Sequence, residues 1–139
     1  MSLARVTRRL GATAILVVAT ACTEAEVLTP VPNGLRAAAS DLLLATATSG
    51  GALVLHNLGN ATVYWLAADQ EALALIDWAP CSDPSRCEGI APRATIEVPR
   101  SRIVADQPGS RAVTVYHWRL VPHGAAFRPD SIRSIVVPR

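Results

Sequence analysis

Beyond residue 40 the chain alternates apolar and polar positions in short runs, each closed by Gly, Pro, Asn or Ser. That is the period of half-buried β-strands. In residues 41–48, Leu42, Leu44, Thr46 and Thr48 alternate with Leu43, Ala45 and Ala47, and Ser49-Gly50-Gly51 then turns the chain. Residues 52–56 and 62–67 flank the turn formers Asn57, Gly59 and Asn60, a pattern that predicts a β-hairpin. Leu53 and Leu55 are expected on one face of its first strand, and Val63, Trp65 and Ala67 on one face of its second.

Residues 72–78 (ALALIDW) fit either a strand or a short helix capped by Asp69, so segment 70–78 stays open between the two. Its shortness and the Pro80–Cys81 end favour a strand. Residues 89–92 read as a turn. Residues 95–98 read as a strand with Ile96 and Val98 inward and Glu97 in water, placed at a sheet edge by Pro99. Residues 101–109 connect it to the strand of residues 111–121, where Tyr116, Trp118 and Leu120 are expected inward, opposite Val113, Val115, His117 and Arg119. Residues 122–129 read as a loop and 132–137 as the last strand, while Ala-rich residues 35–40 suit a helical turn. About seven strands at spacings near ten residues, with no long helix, predict an all-β antiparallel sandwich in a single domain.

The order of the runs, with an Asn-containing turn after the LxL strand, resembles immunoglobulin-like or fibronectin-like domains common on bacterial surfaces. The resemblance spans about residues 40–138, is architectural and brings no catalytic residues. Cys81 and Cys87 are too close in sequence to be the inter-sheet bridge of antibody domains.

The 139-residue chain has a formal charge of +2, but Arg5, Arg8 and Arg9 precede an apolar run over residues 10–21, which predicts a secretory signal in residues 1–21. Twelve apolar residues fall short of the roughly 20 that a spanning helix needs. Without those three arginines, 10 Arg oppose 11 carboxylates, so no basic footprint for nucleic acid remains. No lysine is present, which excludes Schiff-base and P-loop lysine chemistry, and no cofactor is expected.

Ala19-Thr20-Ala21-Cys22 resembles the lipobox of bacterial lipoproteins, with Ala19 where that family more often has Leu; Ala19-x-Ala21 also suits the ordinary secretory peptidase. The resemblance implies lipidation (palmitate-type acylation) of Cys22, an exported protein anchored to the cell membrane or outer membrane by its N-terminal lipid, and a tether over residues 22–39 before a domain of residues 40–139. Acyl chains contribute roughly 0.8 kcal/mol per buried methylene, so several hold a soluble domain on a membrane. With Cys22 acylated, Cys81 and Cys87 form an even pair in an oxidising compartment and are expected to bridge. Closing so short a loop contributes roughly 2 to 2.5 kcal/mol in the chain-entropy model.

The chemistry left is sparse. No GxSxG setting supports a nucleophilic serine. His56, His117 and His123 with Asp69 or Asp77 are candidate metal ligands, but His56 and His117 fall on faces expected to meet water, where a histidine needs no ligand. Asn60-Ala61-Thr62 matches a glycosylation sequon that a bacterial signal makes coincidental. Trp65 and Trp118 are expected in the core. Tyr64 and Trp78, with Arg119, are the candidate interaction patch, because aromatic and Arg side chains dominate interface hot spots. The expected function is that of a noncatalytic envelope lipoprotein whose sandwich binds or supports another envelope component; the alternative is a periplasmic metal or small-ligand binder using surface histidines.

Overall fold

The computed structural model describes residues 36–139; the expected signal segment, Cys22 and the first part of the expected tether lie outside them. The described chain is all-β. It forms β1 (Arg36–Ala39), β2 (Leu43–Ala47), β3 (Leu53–Asn57), β4 (Val63–Asp69), β5 (Gly89–Ile90), β6 (Thr95–Val98), β7 (Ala112–His123) and β8 (Ala126–Pro138). Two antiparallel four-stranded sheets pack face to face, ordered β1-β2-β3-β6 and β5-β4-β7-β8. Consecutive β3 and β4 lie in opposite sheets, while β4 neighbours β7 and β7 neighbours β8, as strands B, C, F and G do in the immunoglobulin-like plan.

That order corrects the expected hairpin. Both strands exist and bury the expected residues, with Leu53, Leu55, Val63, Trp65 and Ala67 all in one core. They do not pair, because the chain between them crosses from one sheet to the other. Asn57 supplies the reason: its buried amide Nδ2 donates to the carbonyls of Ala61 (2.8 Å), Ile90 (2.9 Å) and Ala91 (3.0 Å), and its Oδ1 accepts the Gly59 N–H at 2.8 Å. The side chain thus ties the end of β3 to β5 of the facing sheet. The true hairpin is β2–β3, closed by Gly51 N–H to Thr48 O, with Gly51 at φ 80°.

The core lies between the sheets and takes Leu43, Ala45 and Ala47 from β2, Val98 from β6, Val113 and Val115 from β7, and Ile135 and Val137 from β8. Alternation in β6 is as expected, and β6 is an edge strand ending at Pro99. The face chosen for β7 is corrected. Val113, Val115 and His117 point inward and are fully buried, and Trp118 is buried on the outer face of the second sheet. Alternation fixes which residues share a face; which face is inner depends on what the rest of the chain lays over the sheet.

Four further segments differ from expectation. Arg36–Ala39, read as tether and helical turn, is the edge strand β1, registered so that Arg36 faces Ala47 and Ala39 faces Leu44. Residues 72–78 hold one 3₁₀ turn, Leu73–Leu75, and no strand. Gly89–Ile90, read as turn, adds a two-residue strand to β4. Residues 122–129, read as loop, continue β7 and β8 into a ribbon joined at Gly124-Ala125, where Gly124 has φ 62°. Pro122 and Pro129 are tolerated because β7 leaves β4 behind near Trp118, so each ribbon strand has a side free of ladder bonds. At the base of the ribbon Trp118 of β7 stands against both Ser131 and Ile132 of β8, a bulge with Ser131 at φ 51°.

Candidate functional site

The outer face of the second sheet carries an aromatic cluster that includes Tyr64 and Trp78 of the expected patch but not Arg119. Tyr64 of β4 pairs across the ladder with Trp118 of β7, and both side chains leave the sheet on the same side. The chain from β4 to β5 folds over this face. Trp78 stacks against Tyr116 with ring centroids 4.6 Å apart and against Trp118 at 6.1 Å, tilted in both cases. The loop following Trp78 is closed by the Cys81–Cys87 disulfide, with Cα atoms 5.6 Å apart. Within it, Asp83 Oδ1 accepts from the N–H and hydroxyl of Ser85 (2.9 and 2.7 Å), which holds its carboxyl below the usual range. Trp118 Nε1 donates to Cys81 O at 3.0 Å, so the loop both covers the indole and satisfies its only donor.

Tyr64 and Trp78 remain half-exposed around this cluster, and Arg119 is exposed one residue beyond Trp118, on the opposite side of β7. A cleft of about 410 Å³ lies between Ser82, Asp83 and Pro84 of the disulfide loop and Ala125, Ala126 and Phe127 at the ribbon tip. Tyr116 and Trp118, which complete the patch, were assigned to the core by the sequence. No local signal marked them, because either alternating set of β7 could have faced inward.

The candidate metal ligands are not brought together. His56 sits on the outer face of the first sheet with Nδ1 2.8 Å from Thr95 Oγ1, His117 is inside the sandwich, and His123 is at the ribbon tip. Asp69 is fully buried and accepts the N–H groups of Glu71 (2.9 Å) and Gln107 (3.0 Å). Burial pushes its carboxyl up, but the Gln107 and Glu71 donors outweigh that and hold it below the ordinary value. Asp77 is exposed in the irregular chain before Trp78. Among the described residues no three His, Cys, Asp or Glu side chains converge on a point.

A Ser–His contact does form, between Ser40 Oγ and His117 Nε2 at 2.8 Å. The hydroxyl also accepts the N–H groups of Leu42 (3.2 Å) and Leu43 (3.1 Å), so its proton goes to Nε2 and the imidazole carries its own hydrogen on Nδ1. That Nδ1 is buried beside the main chain of Val115, without a well-formed hydrogen bond. A nucleophilic serine needs an open approach and a base oriented by a third group. Here the hydroxyl is tied into a backbone turn and the ring is enclosed, so the pair clasps the β1–β2 corner to β7.

Comparison with models of known protein families, with curated proteins and with solved structures finds no match for this chain. Fold and site together define a β-sandwich with a disulfide-tied aromatic face.

Proposed function

We propose that the protein is a noncatalytic, lipid-anchored component of the bacterial envelope, exported by residues 1–21, acylated at Cys22, and presenting its aromatic face to another envelope component. The observation that carries this reading is the Cys81–Cys87 bridge. Disulfides persist in exported proteins and are rare in a reducing cytosol, so the bridge agrees with the export signal in the sequence. The half-exposed Tyr64 and Trp78 supply aromatic area of the kind that interfaces favour.

Replacing Cys22 by Ala is expected to move the protein from the membrane fraction to the soluble fraction after processing. Retention of the processed variant on membranes refutes the anchor. A photo-crosslinking residue at Tyr64 is expected to trap a discrete envelope partner, whereas the same probe at Glu97, on the other sheet, is expected to trap none; equal trapping at both sites removes the aromatic face from the proposal.

A further inference from the structure

At the pole of the sandwich where β1 begins and β8 ends, Arg36, Arg100 and Arg139 frame a cavity of about 380 Å³ with the 48–51 turn and Ser110. Three guanidinium groups from three separate segments meet there. Two of them share the Asp106 carboxylate: its Oδ2 accepts both Nε (2.9 Å) and Nη2 (2.7 Å) of Arg100, and its Oδ1 accepts Nη1 of Arg139. Burial raises the Asp106 carboxyl, but Arg139 and Arg100 more than offset this and keep it ionised. Arg36 donates to the main-chain oxygen of Arg139 and makes no ion pair with an Asp or Glu side chain among the described residues. Among the described residues, three guanidinium groups thus face one side-chain carboxylate at this pole.

The donors are unmatched as well. The Arg139 side chain is only 8% exposed, yet its Nε and Nη2 have no acceptor among the described residues. Leaving donors of a buried charged group unmet costs several kcal/mol in general, so such a group calls for an acceptor. The pole is also shaped around its arginines. A Cβ on Gly51 would come within 3.0 Å of Arg100 Cδ, so the glycine both allows the left-handed turn and lets the arm of Arg100 lie across it. Guanidinium forks match phosphate and carboxylate oxygens. The cavity is lined by donor-bearing residues from β1, the residue after β8, the 3₁₀ turn after β6 and the hydroxyl-bearing 48–51 turn, so donors come from several segments, as a tetrahedral anion requires.

We infer that this pole is a binding site for a phosphate-class oxyanion, held by Arg36, Arg100 and Arg139 over the Thr48–Gly51 turn. Phosphate chemistry has two sources in an envelope, a free phosphate or the headgroup of an anionic lipid, and the test separates them.

The full chain in zwitterionic detergent micelles is titrated with inorganic phosphate, at an ionic strength matched with chloride, and followed by amide NMR shifts. A second arm replaces phosphate by doping the micelles with phosphatidylglycerol. Saturable movement of the Ser49, Gly50 and Ser110 amides in the first arm identifies a free anion, and in the second arm alone a lipid headgroup. Arg36→Gln and Arg100→Gln are each expected to weaken the response about tenfold, or about 1.4 kcal/mol, while Arg128→Gln on the distant ribbon leaves it unchanged. The same spectra report whether each variant is folded, and exposed Arg36 provides the variant least coupled to folding. The inference is overturned if neither arm moves these amides, or if the response survives Arg36→Gln undiminished.

Discussion

Asn57 engages its whole amide with main-chain groups of the sheet crossing, three carbonyls on Nδ2 and the Gly59 N–H on Oδ1. Asn57→Ala leaves these groups unpaired in a buried place and is expected to cost about 2 to 4 kcal/mol in urea unfolding. His117 is the other buried polar anchor. Burial is the main cause holding its pKa below the ordinary value, opposed by the main chain of Val115 and the charge of Asp41, with Arg133 adding to the lowering. The unfolded chain therefore binds the proton first. The stability that neutral His117 confers is complete above about pH 6.5 and is lost as pH falls below that value toward the folded pKa, at up to about 1.4 kcal/mol per pH unit. Urea midpoints measured between pH 7.5 and 5.5 are expected to fall in the native protein, and to fall less in His117→Gln. His117→Ala is expected to cost about 2 kcal/mol or more, since it opens a cavity and strips Ser40 of its acceptor; His56→Ala, on an outer face, is expected to cost about 0.5 kcal/mol. Equal effects from the two histidines refute this inside-out assignment.

The chain between β4 and β5 acts at the scale of an element. It has no strand of its own and is held by one 3₁₀ turn, the Trp78 stack and the disulfide. The bridge is expected to appear as a mass lower by about two protons than the reduced form, and alkylatable thiols at both Cys81 and Cys87 in the native protein would contradict it. The core of the sandwich does not run through this loop, so Cys81→Ala with Cys87→Ala is expected to fold. The variant should nonetheless lose about 2 kcal/mol and shift tryptophan emission to the red, because a looser loop uncovers Trp118. Unchanged emission means that the loop does not depend on its bridge. The ribbon of β7 and β8 beyond Trp118 has the opposite character, two strands outside the sandwich with Phe127 43% exposed. A two-stranded ribbon is marginal by itself; its amides from Leu120 to Arg128 are expected to exchange hydrogen faster than those of Val113 and Val115.

For the molecule as a whole, Trp65 is the largest side chain in the shared core, on β4 at the centre of the second sheet, with the Arg102 guanidinium 5.5 Å from its ring centroid. Trp65→Ala is expected to cost about 3 to 5 kcal/mol of a total near 5 to 15, and Trp118→Ala a similar amount. The second loss comes from another place, the layer between the outer face and the disulfide loop. Sequence alone determined the β class, most strand positions and the residues that share each face, because a period of two is local and survives any arrangement of the strands. The Cys81–Cys87 pairing was legible too, since the two lie only six positions apart across a turn-forming Asp83-Pro84. Tertiary structure decided the rest. Whether Asn57 closes a hairpin or anchors a crossing depends on the carbonyls of Ile90 and Ala91, more than thirty residues away. Which face of β7 is inner depends on Trp78 and Cys81 covering Trp118 and on Ser40 meeting His117. The arginine pole joins Arg36 to Arg139 across 103 positions; proximity of that kind is created by packing, and no local pattern encodes it.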